Sequence, residues 1–135
     1  LGVDRFIAIV PKSSPLAGKP RLCWRELLTL DFITLQRPSA VRLMLEEELA
    51  RSGRQLDVAL ESHQLVTVGR MVASGLGGSA VPALCQSQMQ ALGAVCLPLD
   101  NPPIEKCIGV IHAGHLQLSK AAQALLGTLK GALAA

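Results

Sequence analysis

The chain has 135 residues and a formal net charge of +3, with 50% hydrophobic and 17% charged residues. That suffices for one domain, or one lobe of a two-lobed domain, and excludes a disordered tail. With one Trp, two Phe and no Tyr, and 13 Lys and Arg that form no run, the composition excludes both a base-stacking platform and a phosphate-tracking surface, so nucleic-acid binding by this segment itself is not expected.

In chain order, Arg5-Phe-Ile-Ala-Ile-Val-Pro11 predicts a buried strand ended by proline. Lys12 to Arg21, rich in Pro, Ser and Gly, predicts a loop, and Trp24 to Leu28 a single helical turn. Phe32 to Leu35 is a second strand. Gln36-Arg-Pro-Ser39 is a loop, with Ser39 placed to cap a helix. That helix, Ala40 to Ser52, has an apolar stripe of Val41, Met44, Leu45 and Leu49. Glu47 and Arg51 stand at i, i+4 on its wet side, and Gly53 stops it.

Leu56 to Leu60 is the next strand. Leu65, Val68, Met71 and Val72 then fall on one helical face, with Ser62 as the cap and Gly75 as the left-handed stop. Gly77 and Gly78 let the backbone turn into the strand Ser79 to Pro82. Gln86 to Leu92 predicts a short helix, and Val95 to Leu97 a strand. Asn101-Pro-Pro103 breaks the chain before a strand at Lys106 to His112. Ser119 caps a last helix with Ala122, Leu125, Leu126, Leu129 and Leu133 on one face. The series β-α-β-α-β-α-β, a break, then β-α predicts an α/β fold, a mostly parallel sheet flanked by helices and joined by right-handed crossovers.

Chemistry in open α/β sheets gathers outside the carboxyl ends of strands, where helix N-termini point. Two such loops are readable, Thr34 to Ser39 and Glu61 to Gln64. If their strands are neighbours, Thr34, Gln36, Ser39, Ser62, His63 and Gln64 offer polar side chains to one cleft. Arg37 could pair there with a carboxylate. The plainer reading stays open, in which Ser39 and Ser62 are only caps and Arg37 is solvated. His112 and His115 flank a predicted turn at Ala113-Gly114, His63 is distant in sequence, and no acidic residue joins the pair, so no metal is expected. Gly75-Leu-Gly77-Gly78 lacks the spacing of a dinucleotide or Walker loop and follows a helix, so these glycines make a turn. Glu46, Glu47 and Glu48 fan around a helix as a solvated face. No catalytic constellation or cofactor anchor is readable, and the chain is not expected to be an enzyme.

Cys23, Cys85, Cys96 and Cys107 form no C-x-x-C pair, and apolar neighbours suggest buried free thiols in a reducing cytoplasm. Leu1 to Val10 lacks the basic start and apolar core of a signal peptide, and no stretch reaches the ~18 apolar residues of a membrane span. A chain that begins at Leu1 and not at Met is expected to be a fragment.

The series Ser14-Pro-Leu-Ala17, Phe32-Ile-Thr34, Ser39-Ala-Val-Arg42, Leu65 to Val72 and Ala73-Ser-Gly-Leu-Gly-Gly-Ser-Ala-Val-Pro82 resembles the effector-binding domain of LysR-type transcriptional regulators. Ile108-Gly-Val-Ile111 and Leu118-Ser-Lys-Ala-Ala122 resemble that family's final strand and helix. The resemblance implies a periplasmic-binding-protein-like (type 2) lobe in a cytoplasmic bacterial regulator. It implies a small effector, often an organic acid, bound between two lobes and altering how dimers and tetramers grip promoter DNA.

By the same resemblance, residues 12–103 form the second lobe. Residues 1–11 and 104–135 form the crossover strands and the C-terminal remnant of the first. The Thr34 to Ser39 loop is expected to contact the effector, and Ser62, His63 and Gln64 are placed to do so by position. DNA is met only through a domain absent from this chain, and no membrane or cofactor is involved. With much of the first lobe missing, the apolar face of the last helix is expected to pack on another copy, to swap, or to fray. The alternatives are a solute-binding protein of the same general fold serving transport, and an enzyme on a related two-lobed fold.

Overall fold

The computed structural model describes residues 1–134, with side chains through residue 132. Its strands are β1 (Gly2–Val10), β2 (Leu22–Cys23), β3 (Phe32–Leu35), β4 (Val58–Ser62), β5 (Ser79–Pro82), β6 (Val95–Asp100) and β7 (Glu105–Ile108). Its α-helices are α1 (Trp24–Leu27), α2 (Ala40–Arg51), α3 (Leu65–Ala73), α4 (Gln86–Ala91) and α5 (Lys120–Ala134). The chain divides into two compact units. The larger is Arg5–Ile104; the smaller joins Leu1–Asp4 to Glu105–Ala135.

In the larger unit the strands run β2-β6-β1-β5, and β3 and β4 pair in parallel. A parallel bridge from Phe32 to Gly78, with Ile33 N–H donating to the Gly78 carbonyl at 2.9 Å, ties β3 to β5. The sheet is mixed: β1 runs antiparallel to β5 and β6, while β2 and β6 are parallel. β2 is an addition to the sequence-based elements, because two residues carry no periodicity to read. The α/β class of a periplasmic-binding-protein-like lobe holds.

Phe6 to Val10 of β1 are buried on both faces, as a continuous apolar run in an inner strand must be. Phe6, Ala8 and Val10 join Trp24, Leu27, Phe32 and the α2 residues Leu45 and Leu49 in one core cluster. Ile7 and Ile9 join Ile33, Val81, the α3 residues Val68 and Val72, and Met89 of α4 in the other. The predicted stripes of α2 and α3 are thus the faces that pack. Trp24 also donates its indole N–H to the Pro102 carbonyl at 3.1 Å.

Several local expectations shift. Gly75 takes the left-handed conformation at φ 89°, as predicted. Gly77 serves a different need. A Cβ there would lie 2.1 Å from the Asp31 carbonyl oxygen, so the residue is glycine because the backbone leading into β3 passes against it. Ser39 stands at the N-cap position of α2 but makes no capping side-chain bond. Ser62 is not the cap of α3. It ends β4, and Gln64 takes the cap position. Arg51 pairs with Glu48 at 2.5 Å, and not with Glu47. The cysteines are free. Cys23, Cys85 and Cys96 are half-buried and Cys107 is exposed, so full burial does not hold.

In the smaller unit, β7 ends at Ile108, short of the predicted His112. Ser119 Oγ accepts from the Ala122 N–H at 3.1 Å and so caps α5, as predicted. Val110, Ile111, Leu118, Leu125, Leu126 and Leu129 line an open apolar groove of about 230 Å³. Leu133 of the predicted face has its side chain outside the described residues.

Candidate functional site

The register of β3 on β4 brings the two polar loops together. Thr34 is the cross-strand partner of Glu61, and Leu35 of Ser62. One residue further, the Gln36 N–H donates to the Ser62 carbonyl at 2.9 Å. The strands run the same way, so both end at the same sheet edge and feed α2 and α3 from there. The first-turn N–H groups of a helix have no intrahelical partner, and they gather at this edge.

Of the residues singled out from sequence, Thr34 is buried at 2% exposure. Gln36, Ser39 and Ser62 are half-buried, and His63 and Gln64 are exposed. Ser62 Oγ accepts from the Gln64 N–H at 3.4 Å, a long bond that folds the second loop over its own strand end. These six surround the β3 and β4 termini.

Arg37 is oriented differently. Its Nε and Nη2 donate to Glu46 Oε1 at 3.2 and 3.1 Å, and Nη2 also reaches Oε2 at 3.0 Å. Glu46 lies about 9 Å along α2 from its start, at 1.5 Å rise per residue. The guanidinium therefore lies down the flank of α2, and not across the strand ends.

Beneath it is a buried arginine that sequence reasoning did not select. Arg42, with a side chain 7% exposed, donates from Nε to Glu46 at 2.5 Å and from Nη1 to Glu61 at 3.0 Å. Nη1 also meets the Leu35 carbonyl at 3.2 Å. One side chain thus ties α2 to the ends of both β3 and β4. Burial works against its charge, but the bonds to Glu61 and Glu46 outweigh that and raise its pKa. The Glu46 carboxyl is held below its ordinary value, chiefly by the Arg42 hydrogen bond, partly opposed by burial, with Arg37 adding to the lowering. The i, i+4 spacing of Arg42 and Glu46 was the available signal. Its reading failed because Glu46 was grouped with its neighbours as a solvated face.

Among the described residues, no three His, Cys, Asp or Glu side chains gather as a metal-ligand cluster, and no helix is long and apolar enough to cross a membrane.

Solved structures share this fold. The effector-binding domain of QuiR in complex with shikimate superposes with TM-score 0.80 at 16% identity, covering 94% of this chain and 60% of that one. The Synechocystis PCC6803 CcmR regulatory domain in complex with 2-PG gives 0.80 at 24%, covering 96% and 63%. The LysR family regulator HinK of Pseudomonas aeruginosa gives 0.81 at 21%, covering 98% and 46%. In sequence, the HTH-type transcriptional regulator YbhD of Escherichia coli (strain K12) is 32% identical over 126 residues, 93% of this chain. A probable RuBisCO transcriptional regulator of Trichormus variabilis is 27% identical over 125 residues, 90% of this chain. These relatives are transcriptional regulators and not enzymes, and the chain spans 40% and 37% of their respective lengths. Residues 1–134 match the family described as the LysR substrate binding domain, and the chain belongs to that family.

Proposed function

We propose that this chain is the effector-sensing and self-associating part of a bacterial, cytoplasmic LysR-type transcriptional regulator. Residues 12–103 act as one lobe and supply one wall of a cleft for a small, anionic ligand. Residues 1–11 and 104–135 belong to the other lobe. The observation that carries this reading is the parallel β3–β4 pair, which sets two polar loops and two helix starts side by side, joined by the Gln36–Ser62 backbone bond. Unpaired N–H groups and hydroxyls at helix starts favour oxyanions. Thr34, Gln36 and Ser39 contact the effector from one loop, and Ser62, His63 and Gln64 from the other, while Arg37 adds positive charge from the flank of α2. That structural relatives are held with shikimate and with 2-PG supports a small acidic ligand.

In the intact protein, ligand binding favours one arrangement of lobes, and the change passes to promoter DNA through a part outside residues 1–135. That the relatives are HTH-type regulators favours this over a transport protein of the same fold. Thermal-shift screening of the intact protein against small carboxylates, beginning with shikimate, should yield a stabilising ligand. Ser39→Ala and Ser62→Ala should then each weaken its binding about five- to tenfold, the loss of roughly one charge-assisted hydrogen bond. An affinity unmoved by both substitutions would place the site elsewhere.

A further inference from the structure

A second pocket lies on the flank of α2. Arg37, Glu46, Ala50, Arg54, Gln55 and Leu56 line it, and its volume is about 290 Å³. Two guanidiniums face one carboxylate there. That carboxylate is already committed, because Glu46 accepts from both Arg42 and Arg37. Glu46 thereby anchors Arg37 by its Nε and Nη2 edge and leaves Nη1 unengaged; a guanidinium has five donors in a fixed fork. Among the described residues Arg54 pairs with no carboxylate. Its position follows from the end of α2, where Arg54 N–H bonds back to the Leu49 carbonyl at 2.8 Å around Gly53 at φ 75°. The Gln55 amide adds a neutral donor beside it.

We propose that this pocket binds a compact oxyanion, a phosphate group or a small dicarboxylate, held between Arg37 and Arg54 with Gln55 as a further donor. The volume falls just below the ~300–1,000 Å³ of pockets that hold drug-sized ligands, which suits a small ion. Such a pair suits a multidentate oxyanion, because the planar fork of Arg54 can span two oxygens while Arg37 adds a donor from Nη1. The pocket shares Arg37, and through it the Gln36 to Ser39 loop, with the proposed effector contacts; Arg54, Gln55 and Leu56 belong to the pocket alone. An anion drawing on Arg37 therefore acts on the segment that carries Gln36 and Ser39.

Calorimetric titration of the intact protein with inorganic phosphate, and separately with malonate, at constant ionic strength tests this. Saturable one-site binding of at least one of them is expected. Arg54→Gln and Arg37→Gln should each weaken it at least tenfold. Arg25→Gln, an exposed arginine on α1, and Ser62→Ala, in the proposed effector loop, should leave it within twofold. Phosphate binding alone would assign a phosphate-bearing ligand, and malonate binding alone a dicarboxylate. Heats no larger than those of sodium chloride, or losses equal in Arg25→Gln and Arg54→Gln, would overturn the proposal. So would a loss that follows Ser62→Ala and not Arg54→Gln, and that outcome would leave the effector site standing.

Discussion

Arg42 shows how one residue can set the geometry of a site that it does not line. Its bonds to Leu35, Glu46 and Glu61 hold two strand ends and a helix in fixed relation, and without them the Arg42 guanidinium, 7% exposed, would be a charge stranded at the edge of the core. Glu46 is the acidic centre of this network, and its pH behaviour has a definite sign. Its native pKa is depressed below the ordinary 4.5, so its contribution is complete above that value and is lost as the pH falls through the lowered native value. Glu46→Gln should cost about 1–2 kcal/mol at neutral pH, since Arg42 keeps Glu61 and the Leu35 carbonyl. Urea denaturation should show the gap between parent and variant closing on acidification. A gap that stays constant through the acid range would mean that the carboxylate is not what stabilises the network.

At the scale of elements, the helices were legible and the strand ends were not. The stripes of α2 and α3 are periodic because each helix packs one face on the sheet, and periodicity is written in the chain. Ser62 was misread as a cap, since a serine shortly before an apolar run looks the same whether its backbone starts a helix or finishes a strand. Its strand role depends on Leu35, a partner 27 positions earlier. The glycines between α3 and β5 divide by cause. Gly75 is needed for its positive φ and has open space around it, so Gly75→Ala should cost about 1–2 kcal/mol. Gly77 has the Asp31 backbone against it, so Gly77→Ala must push two backbones apart and should cost about 3 kcal/mol, measured by thermal or urea unfolding. Equal effects at the two positions would contradict this division.

At the scale of the whole molecule, the smaller unit leaves its apolar groove uncovered. Of its lining, Ile111 is 98% exposed, Leu125 61% and Val110 46%. A contiguous apolar surface of this kind is unfavourable in water and favours association. Residues 1–135 are expected to run as a dimer or swapped oligomer by size-exclusion chromatography with light scattering, and Ile111→Ser with Leu125→Ser to shift them toward monomer. A monomer that persists at every concentration, with no change on substitution, would mean that the groove does not mediate self-association.

The sequence by itself determined the α/β class, the packing faces of α2 and α3, the left-handed stop at Gly75 and the cap at Ser119, because each depends on residues within a turn or two of one another. Its residue order also carried the family resemblance, which the match over residues 1–134 bears out. Only the tertiary structure decided that β3 and β4 are neighbours, that Gly77 yields room to Asp31, and that Arg37 turns to Glu46 over a buried Arg42. Those facts depend on which strands and helices meet across long stretches of chain, and no local spacing records the meeting.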